Sequence, residues 1–131
     1  MFFGLTNSPA TFQSLMNLIF ADLIAAGKVA VYLDNILIFS LDLAEHCKVV
    51  KDVLQQLQDN DLYLQPEKCK FEKQEVEYLG LLISEGRVHM DPVKVAAVWD
   101  WPTPRSIWDV CRFLGFANFY HRFIHNFARI A

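Results

Sequence analysis

Two apolar runs, Val29–Leu33 and Ile36–Phe39, stand on either side of Asp34 and Asn35, and no other stretch of the chain leaves so few ways to fold. Each run has the length of a strand and is rich in β-branched or aromatic residues that suit a pleated, packed surface. Asp-Asn tolerates the positive φ angles of a tight hairpin turn. The pattern predicts a core hairpin of two buried strands, with Asp34-Asn35 as its turn and one carboxylate at a rigid tip. An ordinary turn in a core hairpin carries the same signature, so function has to be argued from the neighbouring residues.

Before the hairpin, Ser8 and Pro9 read as a cap and a first helical residue. Phe12, Leu15, Met16, Ile19, Phe20 and Leu23 then recur at three- and four-residue steps until Gly27 closes the helix. Gln13, Ser14, Asn17 and Asp22 fall on the opposite face, so an amphipathic helix should lie on the hairpin. After the hairpin, Asp42 with Glu45 is a capping box. Leu43, Cys47, Val50, Leu54 and Leu57 mark the inner face of a second helix, which ends near Asp59–Asp61. Leu62–Leu64 reads as a short strand.

Val76–Ile83, a turn at Ser84–Gly86 and Arg87–Met90 predict a second hairpin, with Gly80 marking either a bulge or a close backbone approach. From Asp91-Pro92 the pattern is helical. One short helix must stop before Pro102, Ser106 and Asp109 cap another with Ile107, Val110, Cys111 and Leu114 inward up to Gly115, and a last helix carries Phe119, Tyr120, Phe123 and Ile124.

At 131 residues, 53% hydrophobic and 21% charged, the chain has a folding composition. The net charge of −3 is unevenly placed. Residues 1–86 hold six Lys against twelve acids, while residues 87–131 hold six basic residues against three acids. An acidic, metal-suited front and a mildly basic, backbone-gripping rear would fit that split. Cys47, Cys69 and Cys111 lack both disulfide and zinc spacing, and His121 with His125 has no third ligand. No apolar run nears the roughly 18 residues of a membrane span, and no signal-peptide pattern opens the chain, so an intracellular protein without a membrane partner is expected.

Tyr32-Leu33-Asp34-Asn35 resembles the Tyr-x-Asp-Asp box of reverse transcriptases, with Asn in the last place. Phe3–Gln13, Pro66–Phe71, Glu77–Gly80, Asp100–Pro104 and Phe113–Tyr120 resemble, in the same order, segments of the gypsy-type LTR-retrotransposon enzymes. That resemblance implies an α+β fold. Residues 1–90 would be part of a polymerase palm, an antiparallel sheet with two packing helices and a primer-grip hairpin, and residues 91–131 a small helical thumb. It also implies roles. Asp34 would be catalytic and a metal ligand, with Asn35 and Lys68 beside the chemistry. Phe3, Gly4, Gln13 and Tyr32 would lie at the nucleotide and template, and Tyr78, Leu79 and Gly80 would form the primer grip.

The implied activity is RNA-directed DNA synthesis by two-metal nucleotidyl transfer, using Mg²⁺ or possible Mn²⁺ in a complete polymerase. The implied partners are an RNA–DNA or DNA primer–template duplex and the fingers, palm and ribonuclease H parts of a pol polyprotein. Family members place another catalytic Asp upstream of the Ser8 helix, together with the fingers, and Asn35 brings no charge where a second Asp is usual. The chain alone is therefore expected to be inactive. The rival expectation is a remnant that binds primer–template without catalysis, or has no function.

Overall fold

In a computed structural model, which describes residues 6–130, the central hairpin forms with its turn one residue earlier than the sequence pattern predicts. Strands β1 (Val29–Tyr32) and β2 (Asn35–Ile38) pair antiparallel, Val29 opposite Ile38 and Tyr32 opposite Asn35, so the connecting residues are Leu33 and Asp34. Asn35 opens β2 instead of closing the turn. Both registers send Val29, Val31, Ile36 and Ile38 to one face, so the apolar pattern does not choose between them. Leu33 takes the left-handed backbone, φ 52°, in the selected register. Nor are both strands buried: Val29 is, Tyr32 is exposed, and β2 is half-buried after its exposed first residue.

The chain divides into two compact units, Met1–Cys69 and Lys70–Ala131. In the first, helices α1 (Ser8–Ile19), α2 (Ala21–Ala25) and α3 (Leu43–Asp59) cover the apolar face of the hairpin. Met16, Phe20, Val29, Val49, Val53 and Leu57 form the buried core, with Phe12, Ile19, Leu23, Val31, Ile36, Ile38 and Leu62 packed against it. Phe20, the most deeply enclosed of the large side chains, contributes about 1.5–3 kcal/mol by that burial.

Several local expectations are revised here. Asn7, not Ser8, occupies the cap of α1, and its side chain makes no capping bond. The helix expected to reach Gly27 breaks at Phe20, across which the apolar spacing continues without interruption. Gly27, at φ 65°, does close the second piece: its N–H donates to Ile24 and that of Lys28 to Leu23. In α3, Asp42 accepts from Glu45 N–H at 2.9 Å as expected. The inner face of α3 is rotated, however. Val49, Val53 and Leu57 are buried while Leu43, Cys47 and Leu54 are exposed, because the inward stripe also carries the polar His46 and Gln56, which hide it from an apolar count.

Leu62–Leu64 is not a strand. Asp61 adopts a left-handed backbone, the Leu62 N–H returns to the Leu57 carbonyl, and Leu62 packs on the core as the closing residue of α3.

In the second unit, β3 (Glu75–Tyr78), β4 (Leu81–Ser84) and β5 (Arg87–Met90) form a meander in sequence order. The single strand expected over Val76–Ile83 is thus two strands, and Gly80 marks neither a bulge nor a strand interior but a two-residue turn with Leu79. Leu79 (φ 53°) and Gly80 (φ 77°) are both left-handed, the pair of angles that lets a hairpin follow the natural strand twist.

Helices α4 (Pro92–Trp99) and α5 (Ile107–Phe119) begin at their expected caps. Asp91 accepts from Val93 N–H and Ser106 from Asp109 N–H. Helix α5 runs through Gly115 rather than stopping there, and Phe119 belongs to it. The expected last helix is instead a 3₁₀ turn, His121–Phe123, and a short α6 (Phe127–Ile130). The buried side of α5 is also displaced: Ile107, Val110 and Cys111 are exposed, while Ala117 and, just past the helix end, Tyr120 are buried. His121 and His125 therefore do not share a helical face.

Candidate functional site

Asp34 is exposed at the tip of the β1–β2 hairpin, on a turn whose first residue, Leu33, is bonded to α1. Gln13 is half-buried on α1, not on a free polar face. Its Oε1 accepts from Leu33 N–H at 2.7 Å, and its Nε2 donates to the Val31 carbonyl at 3.2 Å and to Asn17 Oδ1 at 2.8 Å. Asn35 Nδ2 donates to Asp34 Oδ1 at 3.3 Å, so the amide in the place of a second carboxylate turns its NH₂ toward the one carboxylate present. Tyr32, half exposed at 52%, flanks the turn on β1.

The base of the hairpin is tied as firmly as its tip. Phe39 N–H donates to the Lys28 carbonyl at 3.1 Å, extending the ladder past the strand ends. Lys28 Nζ meets Glu45 Oε1 at 2.6 Å, so the carboxylate that could have closed the capping box of α3 secures β1 to that helix. Sequence reading missed Asn17, Lys28 and Glu45 as supports of this turn. The i, i+4 pair Gln13–Asn17 was visible as a polar stripe, but its target on β1 is distant in sequence.

The remaining implied site residues are scattered over both units. Phe3 and Gly4 lie outside the described residues. Lys68 ends an exposed 3₁₀ turn, Pro66–Lys68, in the first unit. Tyr78, Leu79 and Gly80 come together at the β3–β4 turn of the second. Burial raises the Tyr78 phenol above its ordinary pKa. A Cβ built on Gly80 would lie 3.7 Å from Tyr120 Oη and 3.8 Å from Phe119 Cε1, so two rings of α5 and its end sit against this turn. Phe116 and Trp101 continue that ring cluster, with centroids 5.6 Å apart for Tyr120–Phe116, 5.4 Å for Phe116–Trp101 and 5.6 Å for Trp101–Phe113.

As a divalent-cation site the first turn is partial. Asp34 fits as one hard oxygen ligand, Asn35 offers its NH₂ on the same side, and no group of three or more His, Cys, Asp or Glu that could hold a metal occurs among the described residues. No helix among them is long and apolar enough to cross a membrane.

The profile of the family described as "Reverse transcriptase (RNA-dependent DNA polymerase)" matches residues 1–83. The chain is 41% identical over 129 residues to the retrovirus-related Pol polyprotein from transposon 297 of Drosophila melanogaster, covering 98% of this chain and 12% of that protein. It is 38% identical to the corresponding polyprotein from transposon gypsy of the same organism, again over 98% of the chain and 12% of the relative. With the transposon Tf2-7 polyprotein of Schizosaccharomyces pombe the identity is 36%, over 93% of the chain and 9% of that protein. In three dimensions the chain superimposes with a TM-score of 0.88 on the foamy viral protease-reverse transcriptase solved with double-stranded DNA. That match has 24% identity and covers 97% of this chain and 22% of that one. A second structure, of the foamy viral enzyme with an RNA/DNA hybrid, gives a TM-score of 0.79 at 23% identity, over 91% of this chain and 16% of that one.

Proposed function

This chain belongs to the reverse transcriptase family and corresponds to one part of a retrotransposon Pol polyprotein, and on that premise we propose that it is the portion that presents one catalytic carboxylate and grips the primer–template. One observation carries this reading: Asp34 stands exposed on a hairpin tip whose base and edge are both bonded to packed helices. Residues 1–90 then serve as part of the palm and residues 91–131 as the thumb.

Asp34 is the ligand this chain would lend to a Mg²⁺ or Mn²⁺ ion in a complete polymerase. When bound there, the ion supplies charge stabilisation for nucleotidyl transfer. Tyr32 lines the approach to the turn, and Lys68 is a cation available to phosphate. Tyr78, Leu79 and Gly80 hold the primer strand through backbone and phenol. An open cleft of about 470 Å³ lined by Trp101, Pro102, Thr103, Arg105, Asp109 and Arg112 offers two guanidinium groups and an indole to a nucleic-acid backbone. With a single carboxylate at the turn, the 131 residues bind a duplex but do not extend a primer.

The test is fluorescence anisotropy with a labelled RNA–DNA primer–template, run beside a primer-extension assay with Mg²⁺. Binding that weakens steeply with salt and survives Asp34→Ala, without extension, is the expected result. Absence of low-salt binding overturns the grip, and extension abolished by Asp34→Ala overturns the inactivity.

A further inference from the structure

We propose that Gln13 is a positioning residue for Asp34, acting on the backbone of β1 rather than on template or nucleotide. The inference rests on the reading of Asp34 as a metal ligand, and it reassigns a residue that the family resemblance places at the substrate.

The geometry leaves the Gln13 amide largely committed. An amide carries two N–H donors and one oxygen. Here the donors go to Val31 O and Asn17 Oδ1, and the oxygen takes Leu33 N–H. A base or sugar contacting this group would have to displace bonds of 2.7–3.2 Å.

The two backbone groups Gln13 holds have no partner on β2. Tyr32 pairs with Asn35, and the residues on either side of it direct their N–H and C=O the opposite way, to the outer edge of β1. Gln13 therefore does for Val31 and Leu33 what a neighbouring strand would do, with one side chain. It does so beside Leu33, whose left-handed backbone has no glycine to relieve it and fixes the direction in which Asp34 leaves the strand. Asn17, four residues along α1, holds the Gln13 amide in the orientation that serves both groups.

Amide hydrogen exchange on the ¹⁵N-labelled full chain, followed by NMR, tests this directly. In the wild type the Leu33 amide is expected to be protected although its neighbour Asp34 is exposed. Gln13→Met, close in volume but without hydrogen bonds, should speed Leu33 exchange roughly tenfold while the Met16 and Val53 amides stay unchanged. Gln13→Glu keeps the oxygen that faces Leu33 N–H but loses the donor to Val31 O and Asn17 Oδ1, so it should retain part of the protection, a rescue that mere filling of space would not give. A Leu33 amide exchanging at the rate of an open turn in the wild type, or equal exchange in wild type and Gln13→Met, overturns the clamp. If Gln13→Met does not fold, the wild-type rate and Gln13→Glu still decide.

Mn²⁺ titration of the same samples separates this from the reading beneath it. Paramagnetic broadening centred on Asp34 in the wild type, lost in Asp34→Ala and weakened in Gln13→Met, is expected. No broadening in the wild type overturns Asp34 as a ligand, whereas the clamp stands or falls on Leu33 exchange.

Discussion

Leu33 and Leu79 occupy the same place in two hairpins, first of two turn residues, with φ of 52° and 53°, yet the two turns are stabilised by different means. A left-handed backbone costs an ordinary L-residue about 1–2 kcal/mol. At the second turn Gly80 follows and adopts φ 77° freely, and the rings of Phe119 and Tyr120 sit beside it. The turn is nearly self-sufficient. At the first turn the following residue is Asp34, and the brace comes from Gln13, 20 residues earlier. At the first turn an exposed carboxylate stands where the second has its glycine, and the support comes from a packed helix.

The largest test of that contrast removes the platform of the first turn. Phe20→Ala, at a fully enclosed site, should destabilise the first unit by about 3–5 kcal/mol and release the Leu33 amide with it. A urea titration followed on the Val29 and Leu33 amides measures both. At the second turn Gly80→Ala should cost about 1–2 kcal/mol. The added Cβ meets its neighbours at ordinary contact distance, so the cost is backbone strain and not a clash. Tryptophan fluorescence reads it, since Trp99, Trp101 and Trp108 all lie in that unit.

A gain should follow from Leu79→Asn, which places Asn before Gly80 at a residue 41% exposed. About 0.5 kcal/mol of added stability is expected, whereas Leu33→Asn should gain nothing because Leu33 is half-buried and already braced. Thermal unfolding of the two variants decides whether the turns differ as described.

The smallest effect concerns the start of α5, whose far end supplies the rings behind Gly80. The Ser106 hydroxyl, then the Arg105 backbone N–H, hold the Asp109 carboxyl below its ordinary value of 3.8. A carboxylate depressed in the folded state contributes stability that is complete above that ordinary value and is lost as pH falls through the folded one. The Arg105 and Asp109 amide signals should therefore move together below about pH 4, and Asp109→Asn should abolish the movement. The Leu79–Gly80 turn should stay unaffected over the same range.

Much of the fold was legible along the chain. The presence of the first hairpin, a helical layer on its apolar face, the β4–β5 hairpin and the starts of α3, α4 and α5 all match the pattern of residues. Misreadings cluster where one residue type serves two purposes. His46 and Gln56 interrupt the inward stripe of α3, so the apolar spacing points to Cys47 and Leu54 where the core holds Val49 and Val53. Leu62 looked like a strand residue because the last residue of a helix closure is also apolar. At the candidate site the hairpin and its exposed carboxylate were readable from Val29 to Ser40, but the bonds from Gln13 to β1 were not, because their partners lie 18 and 20 residues along the chain.

What the sequence determined by itself is what a few neighbouring residues can settle. Asp42, Asp91 and Ser106 start helices because each side-chain oxygen reaches an N–H two or three residues on. Gly27 ends one because a glycine has no Cβ to strain at φ 65°. The family motifs, too, are short and ordered. What only the tertiary structure decided is the bend at Phe20, the register that makes Leu33 and Asp34 the turn, and the hydrogen bonds of Gln13 to β1. Each depends on groups far apart in the chain meeting across a packed interface. The apolar pattern is the same in either register, and the long-range hydrogen bond from Leu33 to α1 supports the one that forms.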